Sequence, residues 1–319
     1  MSNAPRSELL TTRDVLLMRQ IVVGIAPTAE ELTHLSVGPA PGKGSVALQF
    51  LEDAVNQPTS RGSSHVRHAH LAIGLHTLAA LDHMRAFVPL LKTRRHIMPL
   101  ATLTRGSVEA FGKANYLLGA ESAGDLIRRH VGLATLELGN SVKHSEFAYH
   151  DGTKVDGKGH LEGIKELVVQ LGIGKPDQVS VTGLASDLLS ESSPGAPGRA
   201  FYSQLSGVAH GETSGVAMFI ESDLNEGLRV VQRRDVLLPY AGMLFATCRL
   251  VLNKMIDHFG VENEDRNRWR GVTERAEPMD SGAERLGPKP VAARTRTGPD
   301  AGPLADTGRS YFPAPFCDS

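Results

Sequence analysis

Between residues 65 and 259 apolar side chains return every three or four positions, the period of one helix face. Ser64 stands where it can cap a first long helix over 65–95, with Leu71, Leu75 and Leu78 on one stripe and Ile73, Met84, Val88 and Leu91 on another. A helix apolar on most sides belongs at the centre of a bundle. Pro89 lacks the amide hydrogen and predicts a kink or an end near Val88. Pro99 suits the first turn of a second helix closed by Gly119. Ser122 and Asp125 form a capping-box pattern ahead of a third helix, which carries Leu126, Val131, Leu133, Leu136 and Leu138 and runs toward residue 150. Shorter helices are predicted over 160–171, 177–191 and from Arg199, and a strongly apolar one over 234–259. Alternating β-branched residues occur only at Val179-Ser-Val-Thr182, so strands should contribute almost nothing.

The flanks read differently. Residues 1–60 hold two short helical patterns, 7–23 and 45–55, separated by Ser36-Val-Gly-Pro-Ala-Pro-Gly-Lys-Gly44, and are expected to form a loosely attached N-terminal arm. From residue 261 onward Pro, Gly and charge dominate, with Trp269 and Tyr311-Phe-Pro-Ala-Pro-Phe316 as the large apolar groups. Such a segment buries too little to offset its ordering entropy. The expected architecture is an all-α, up-and-down helical bundle at 61–260, with an arm at 1–60 and a disordered C-terminal tail at 261–319.

Composition narrows the function classes. A formal net charge of -1 over 319 residues leaves no global field to draw in nucleic acid or an acidic membrane, so any such contact must be local. Two cysteines, Cys248 and Cys317, have no CxxC partner, which argues against disulfide frameworks and thiolate zinc sites. The N-terminus lacks the uninterrupted apolar core of a signal peptide, and the apolar run 236–248 is short of the ~20 residues that span a bilayer. A cytoplasmic protein without membrane contact, metal or cofactor is expected.

Chemistry concentrates late in the chain. In Arg199-Ala-Phe-Tyr-Ser-Gln-Leu-Ser-Gly-Val-Ala-His210-Gly211, residues Tyr202, Ser206 and His210 lie four apart and stack on one helical stripe beside Phe201, Leu205 and Val208. A histidine with a hydroxyl one turn below it is suited to acid–base work or to a hydrogen-bonded seam. Arg105 and Glu109 are also four apart, and their apolar flanks point the pair inward, toward Tyr202 or His210. Arg128, Arg129 and His130 open the third helix, where the dipole favours anions and bound phosphate or carboxylate would offset the arginine charge. Two other patterns read as structure. Gly152-Thr-Lys-Val-Asp-Gly157-Lys158 matches a phosphate loop until Gly159 replaces the Ser or Thr that would hold magnesium, and it follows a helix, not a strand. His65, His76 and His83 share a helix side, but on turns too distant to grip one metal ion.

An inward Arg105–Glu109 pair, an arginine-rich helix after it and a late Tyr-x-x-x-Ser-x-x-x-His helix together resemble the helical bacterial proteins related to the HEPN superfamily, over residues 65–259. The resemblance implies a four- or five-helix up-and-down core that often dimerises. It also implies either ribonuclease activity in toxin–antitoxin or phage-defence systems, or a binding role where catalysis is lost. The catalytic HEPN pattern sets four to six residues between arginine and histidine; Arg199 and His210 have ten between them, and Arg61 and His68 match only at a loop-to-helix junction. The leading expectation is therefore a homodimeric protein that contacts RNA or nucleotide through Arg105, Glu109, Arg128, Tyr202 and Ser206, with His210 as the acid–base residue if RNA is cut. The other expectation is a non-catalytic interaction scaffold whose Tyr202–Ser206–His210 stripe fixes helix packing, and whose tail, with Trp269, docks a protein partner.

Overall fold

The computed structural model describes residues 9–38, 40–55, 62–93, 96–144, 147–148, 154–195, 197–223 and 227–284. Its helices are α1 (Thr12–Ser36), α2 (Val46–Val55), α3 (Gly62–Thr93), α4 (Met98–Leu118), α5 (Ala123–His144), α6 (Gly157–Leu171) and α7 (Val181–Ser192). After these come α8 (Gly198–Ala209), α9 (Thr213–Ala217), α10 (Arg234–Phe259) and α11 (Asn263–Glu284). Two small antiparallel hairpins, β1 (Phe147–Ala148) with β2 (Lys154–Val155) and β3 (Ile220–Asp223) with β4 (Gly227–Val230), are the strands among the described residues. The protein is an all-α helical bundle.

At its centre lies α10, where Leu237, Tyr240, Leu244, Phe245, Cys248, Val251, Leu252 and Met255 are all buried. By length and composition this helix is apolar enough to cross a membrane, and two thirds of its most apolar stretch is covered by the protein itself. Helices α1, α4, α7, α2 and α11 pack around it. Helix α3 lies against α4 and α1, and on it Ile73, Met84, Val88 and Leu91 are buried as their spacing predicts. Leu71 and Leu75, expected on an equally buried stripe, are instead about half exposed. Pro89 does not end α3, which continues to Thr93. Proline inside a helix costs about 3 kcal/mol. The burial of Phe87, Val88 and Leu91 around it offsets that, at about 1.5–3 kcal/mol for each such side chain.

Both flanks depart from the sequence reading. The expected N-terminal arm is a structural wall: α1 runs 25 residues and buries Met18, Ile21, Val22, Ile25, Ala29 and Leu32, a continuous stripe against α3 and α10. A capping box starts it, Thr11 Oγ1 accepting from the Asp14 amide and Asp14 accepting from the Thr11 amide. Asp14 in turn binds Arg234 at 3.0 Å, tying the two helix starts together. The expected disordered tail begins with α11, whose Trp269 is 2% exposed and donates to Asn253 Oδ1 at 2.8 Å. One apolar stripe of Trp269, Val272 and Ala276 is enough to dock an otherwise charged helix, and it places Trp269 in the core rather than free for a partner. The remainder of the tail, 285–319, lies outside the described residues, as do the boundary residue 61 and the N-terminal residues 1–8.

The loop before α2 closes onto the end of α10. Gly42 donates its amide to the Phe259 carbonyl at 2.9 Å, and a Cβ at Gly42 would sit 2.2 Å from the Gly260 oxygen. Gly260 caps α10 with φ +66, the left-handed conformation that glycine adopts without steric cost. The turn thus needs glycine at both crossing positions.

Beneath this turn is a buried polar contact that joins α3 to α10. His70 and His258, 6% and 5% exposed, place their Nε2 atoms 3.2 Å apart inside a ring of Phe50 and Phe259. One imidazole must donate and the other accept, and burial keeps both neutral near pH 7. Burial, then the neighbouring His258 and Arg67, push the His70 pKa down to about 3; burial pushes His258 down to about 4. The unfolded chain therefore binds protons that the folded one refuses. The stability from this pair is complete above about pH 6.5 and is lost as pH falls from there toward 4. We expect thermal melts to lose roughly 2 kcal/mol per histidine by pH 5. The double variant His70→Leu/His258→Leu should flatten that dependence in circular-dichroism melts; an unchanged slope would contradict the account.

Candidate functional site

Helix α4 presents Arg105 and Glu109 on the face that packs against α8, one turn apart as the sequence requires. The opposite side of the same segment is fixed to α3, where Ser107 Oγ donates to the Ala80 carbonyl at 3.0 Å. Helix α8 lies between α4 and α7, buries Tyr202, Leu205 and Val208, and ends at His210, whose amide closes on Ser206 O. Gly211 follows with φ +69 and turns the chain into α9.

Three side chains meet Glu109 or its neighbour directly. Arg105 Nε donates to Glu109 Oε1 at 2.6 Å, and the Tyr202 hydroxyl donates to the same oxygen at 2.7 Å. Arg105 Nη1 lies 2.8 Å from His210 Nε2. A guanidinium has no acceptor, so Nε2 accepts here and the imidazole proton is on Nδ1. The Arg105 guanidinium also sits over the Tyr202 ring at 5.8 Å. Burial works against the arginine charge, but the bond and charge of Glu109 more than offset it and raise the Arg105 pKa. Burial, with the Glu109 carboxylate beside it, raises that of Tyr202, which stays a neutral phenol.

The network runs from a buried end to an open one. Tyr202 is 4% exposed, Arg105 and Glu109 are about a quarter exposed, and His210 is at the surface. Beside His210 is a groove of about 430 Å³ lined by Gly211, Thr213, Val216, Ala217, Ile220 and Leu228.

Of the residues singled out in the sequence, Arg105, Glu109, Tyr202 and His210 are brought together. Ser206 is half-buried on the same stripe, but its hydroxyl makes no side-chain hydrogen bond among the described residues. Arg128 does not join them. It is bound by Asp125 at 2.5 Å and by Asp177, next to Tyr116, whose hydroxyl donates to Asp177 at 3.2 Å. Tyr116 is eleven residues beyond Arg105 on α4, about 16 Å along the axis. Asp125, Asp177, Arg128 and Arg129 form a charge-balanced cluster there, with Arg129 also donating to the Tyr116 carbonyl at 2.7 Å. Sequence reasoning missed Thr182, which comes near the Tyr202 hydroxyl from the first turn of α7, because nothing local marks a threonine as facing a residue twenty positions later. The partial phosphate loop also resolves: Asp156 caps α6 by accepting from Gly159 at 2.9 Å, and Gly157 and Lys158 are helical, while 151–153 lie outside the described residues. No group of three metal-binding side chains occurs among the described residues.

Comparison with protein-family models, curated proteins and solved structures gave no match. The geometry therefore carries the functional argument.

Because Glu109 Oε1 is shared, its loss strands two donors at once. Glu109→Ala should destabilise the protein by roughly 2–3 kcal/mol and Tyr202→Phe by about 1 kcal/mol in urea titrations. The double variant should cost little more than Glu109→Ala alone. Strict additivity would contradict the shared acceptor.

Proposed function

We propose that the Arg105–His210 corner binds phosphate, as part of a cytoplasmic protein that recognises RNA or a nucleotide. The observation that carries this reading is an anchored guanidinium 2.8 Å from an exposed imidazole at a helix end. Glu109 holds Arg105 through Nε and leaves the far edge of the fork facing His210. A phosphate entering between them accepts from the guanidinium and, once His210 takes up a proton, from Nε2 as well; charge-assisted bonds of this kind are the strong ones. The apolar groove past Gly211 offers a surface for a base or sugar. An arginine–histidine pair drawn from α4 and the end of α8, where no single helix has the HEPN spacing, is what supports a HEPN-like reading. If the bound RNA is cut, His210 is the group that exchanges the proton, and Arg105 holds the phosphate. Ribonuclease activity of this kind would suit a defence or toxin-type role.

A second reading rests on a different observation. The Tyr202 hydroxyl, on a buried side chain, is satisfied by Glu109 without any ligand, as expected of a polar seam that fixes the register of α4 against α8.

Labelled single-stranded RNA and ATP, titrated by fluorescence polarisation and calorimetry at low salt, separate the two. Phosphate binding predicts affinity that falls with salt. It also predicts heats that vary with buffer ionisation because a proton is taken up, and a loss of about tenfold or more in Arg105→Gln and His210→Ala variants that melt like the parent. Absence of binding to either ligand, with His210→Ala altering only stability, leaves the seam.

A further inference from the structure

A second cavity lies apart from the Arg105–His210 corner. It is an open trough of about 940 Å³ bounded by α5, α6 and the segment 172–179 that joins α6 to α7. Leu136 from α5, Ile164 and Val168 from α6, and Val179 from the connecting segment make its walls apolar. Helix α6 packs on α5, yet Ile164, Leu167, Val168 and Leu171 are each only partly buried and Val169 is 80% exposed. A helix that turns four apolar residues inward without covering any of them completely leaves a trough that its own side chains do not fill. At this size the trough is in the range of sites for small molecules, about 300–1,000 Å³.

Charge at the mouth selects the head group. The carboxylate there, Asp177, is already neutralised by Arg128 and hydrogen-bonded by Tyr116. Lys175, two residues before it, lines the same cavity, is exposed and makes no ion pair among the described residues. Among the described residues lining the trough, the balanced Asp125–Asp177–Arg128–Arg129 cluster leaves Lys175 as the uncompensated charge.

From this combination we infer that the trough between α5 and α6 is a binding site for an apolar chain ending in a carboxylate, the chemistry of a medium- or long-chain fatty acid. The chain lies along Leu136, Ile164 and Val168, and the carboxylate pairs with Lys175. This inference is independent of phosphate binding at His210, which is built from α4 and α8.

The 319-residue chain is titrated with sodium dodecanoate by calorimetry, alongside decanoate and the uncharged 1-dodecanol. Dodecanoate is expected to bind below about 100 µM. Each methylene removed should weaken binding about fourfold, so decanoate falls by an order of magnitude. Lys175→Ala should weaken dodecanoate several-fold and leave dodecanol unchanged, while Val168→Trp, which fills the trough, should abolish both with α-helical content and melting temperature retained. No dodecanoate binding at 100 µM, or binding indifferent to both variants, overturns the inference. Equal binding of dodecanol and dodecanoate overturns the carboxylate assignment. A concentration-dependent doubling of mass that Val168→Trp removes, without fatty-acid uptake, assigns the trough to a second copy of the chain and overturns it also.

Discussion

The constraint on which the structure depends is the burial of α10. A 26-residue helix that is apolar on nearly every side cannot be covered by one or two neighbours. Helices α4 and α7 cover part of it; α1, α2 and α11, drawn from the two ends of the chain, complete the cover. The protein therefore has no detachable arm in its described portion. Thr11, Asp14 and Arg234 tie the start of α1 to the start of α10, and the Gly42–Gly260 crossing together with the His70–His258 contact ties down the other end. Polar contacts at both ends of an apolar helix set its axial register, which dispersion alone leaves loosely specified.

Helix α4 translates that core into a site. One side is fastened to α3 through Ser107, another admits α7 closely at Gly112, where a Cβ would meet the Leu184 carbonyl at 3.0 Å. A further face carries Arg105 and Glu109 to α8. Its far end carries Tyr116 to Asp177 at the rim of the apolar trough. The two candidate sites thus share one rigid element and are separated by about half its length, which keeps their chemistry distinct.

How much of this was legible in the sequence follows from the range of each signal. Helical periodicity is local, and it located α3, α4, α5 and α10 from spacing and from stop residues such as Gly119. The inward Arg105–Glu109 pair was legible because its flanks are apolar, and the Tyr202–His210 stripe because four-residue spacing fixes a helix face. What spacing cannot encode is which faces meet. Arg128 looked as available as Arg105 until Asp177, forty-nine residues on, was found to hold it. His70 and His258 are 188 residues apart, and neither has a local mark of its partner. Composition misjudged α11 for the same reason: an average over a charged segment hides one stripe containing Trp269, and that stripe is what docks it.

The closed form of the Arg105 network is compatible with ligand binding because its bonds are unequal in what they hold. The Tyr202–Glu109–Arg105 part joins a buried phenol to a carboxylate and a guanidinium, and breaking it would strand polar groups away from water. The contact between Arg105 and His210 joins two groups that solvent reaches, so an anion that takes the place of either partner leaves nothing unsatisfied. On the proposed binding, Glu109 would keep the guanidinium in place while His210 met the ligand, and little ordering entropy would remain to be lost. The same carboxylate that makes the stripe a seam would, under the proposed phosphate binding, also pre-organise the guanidinium for an anion.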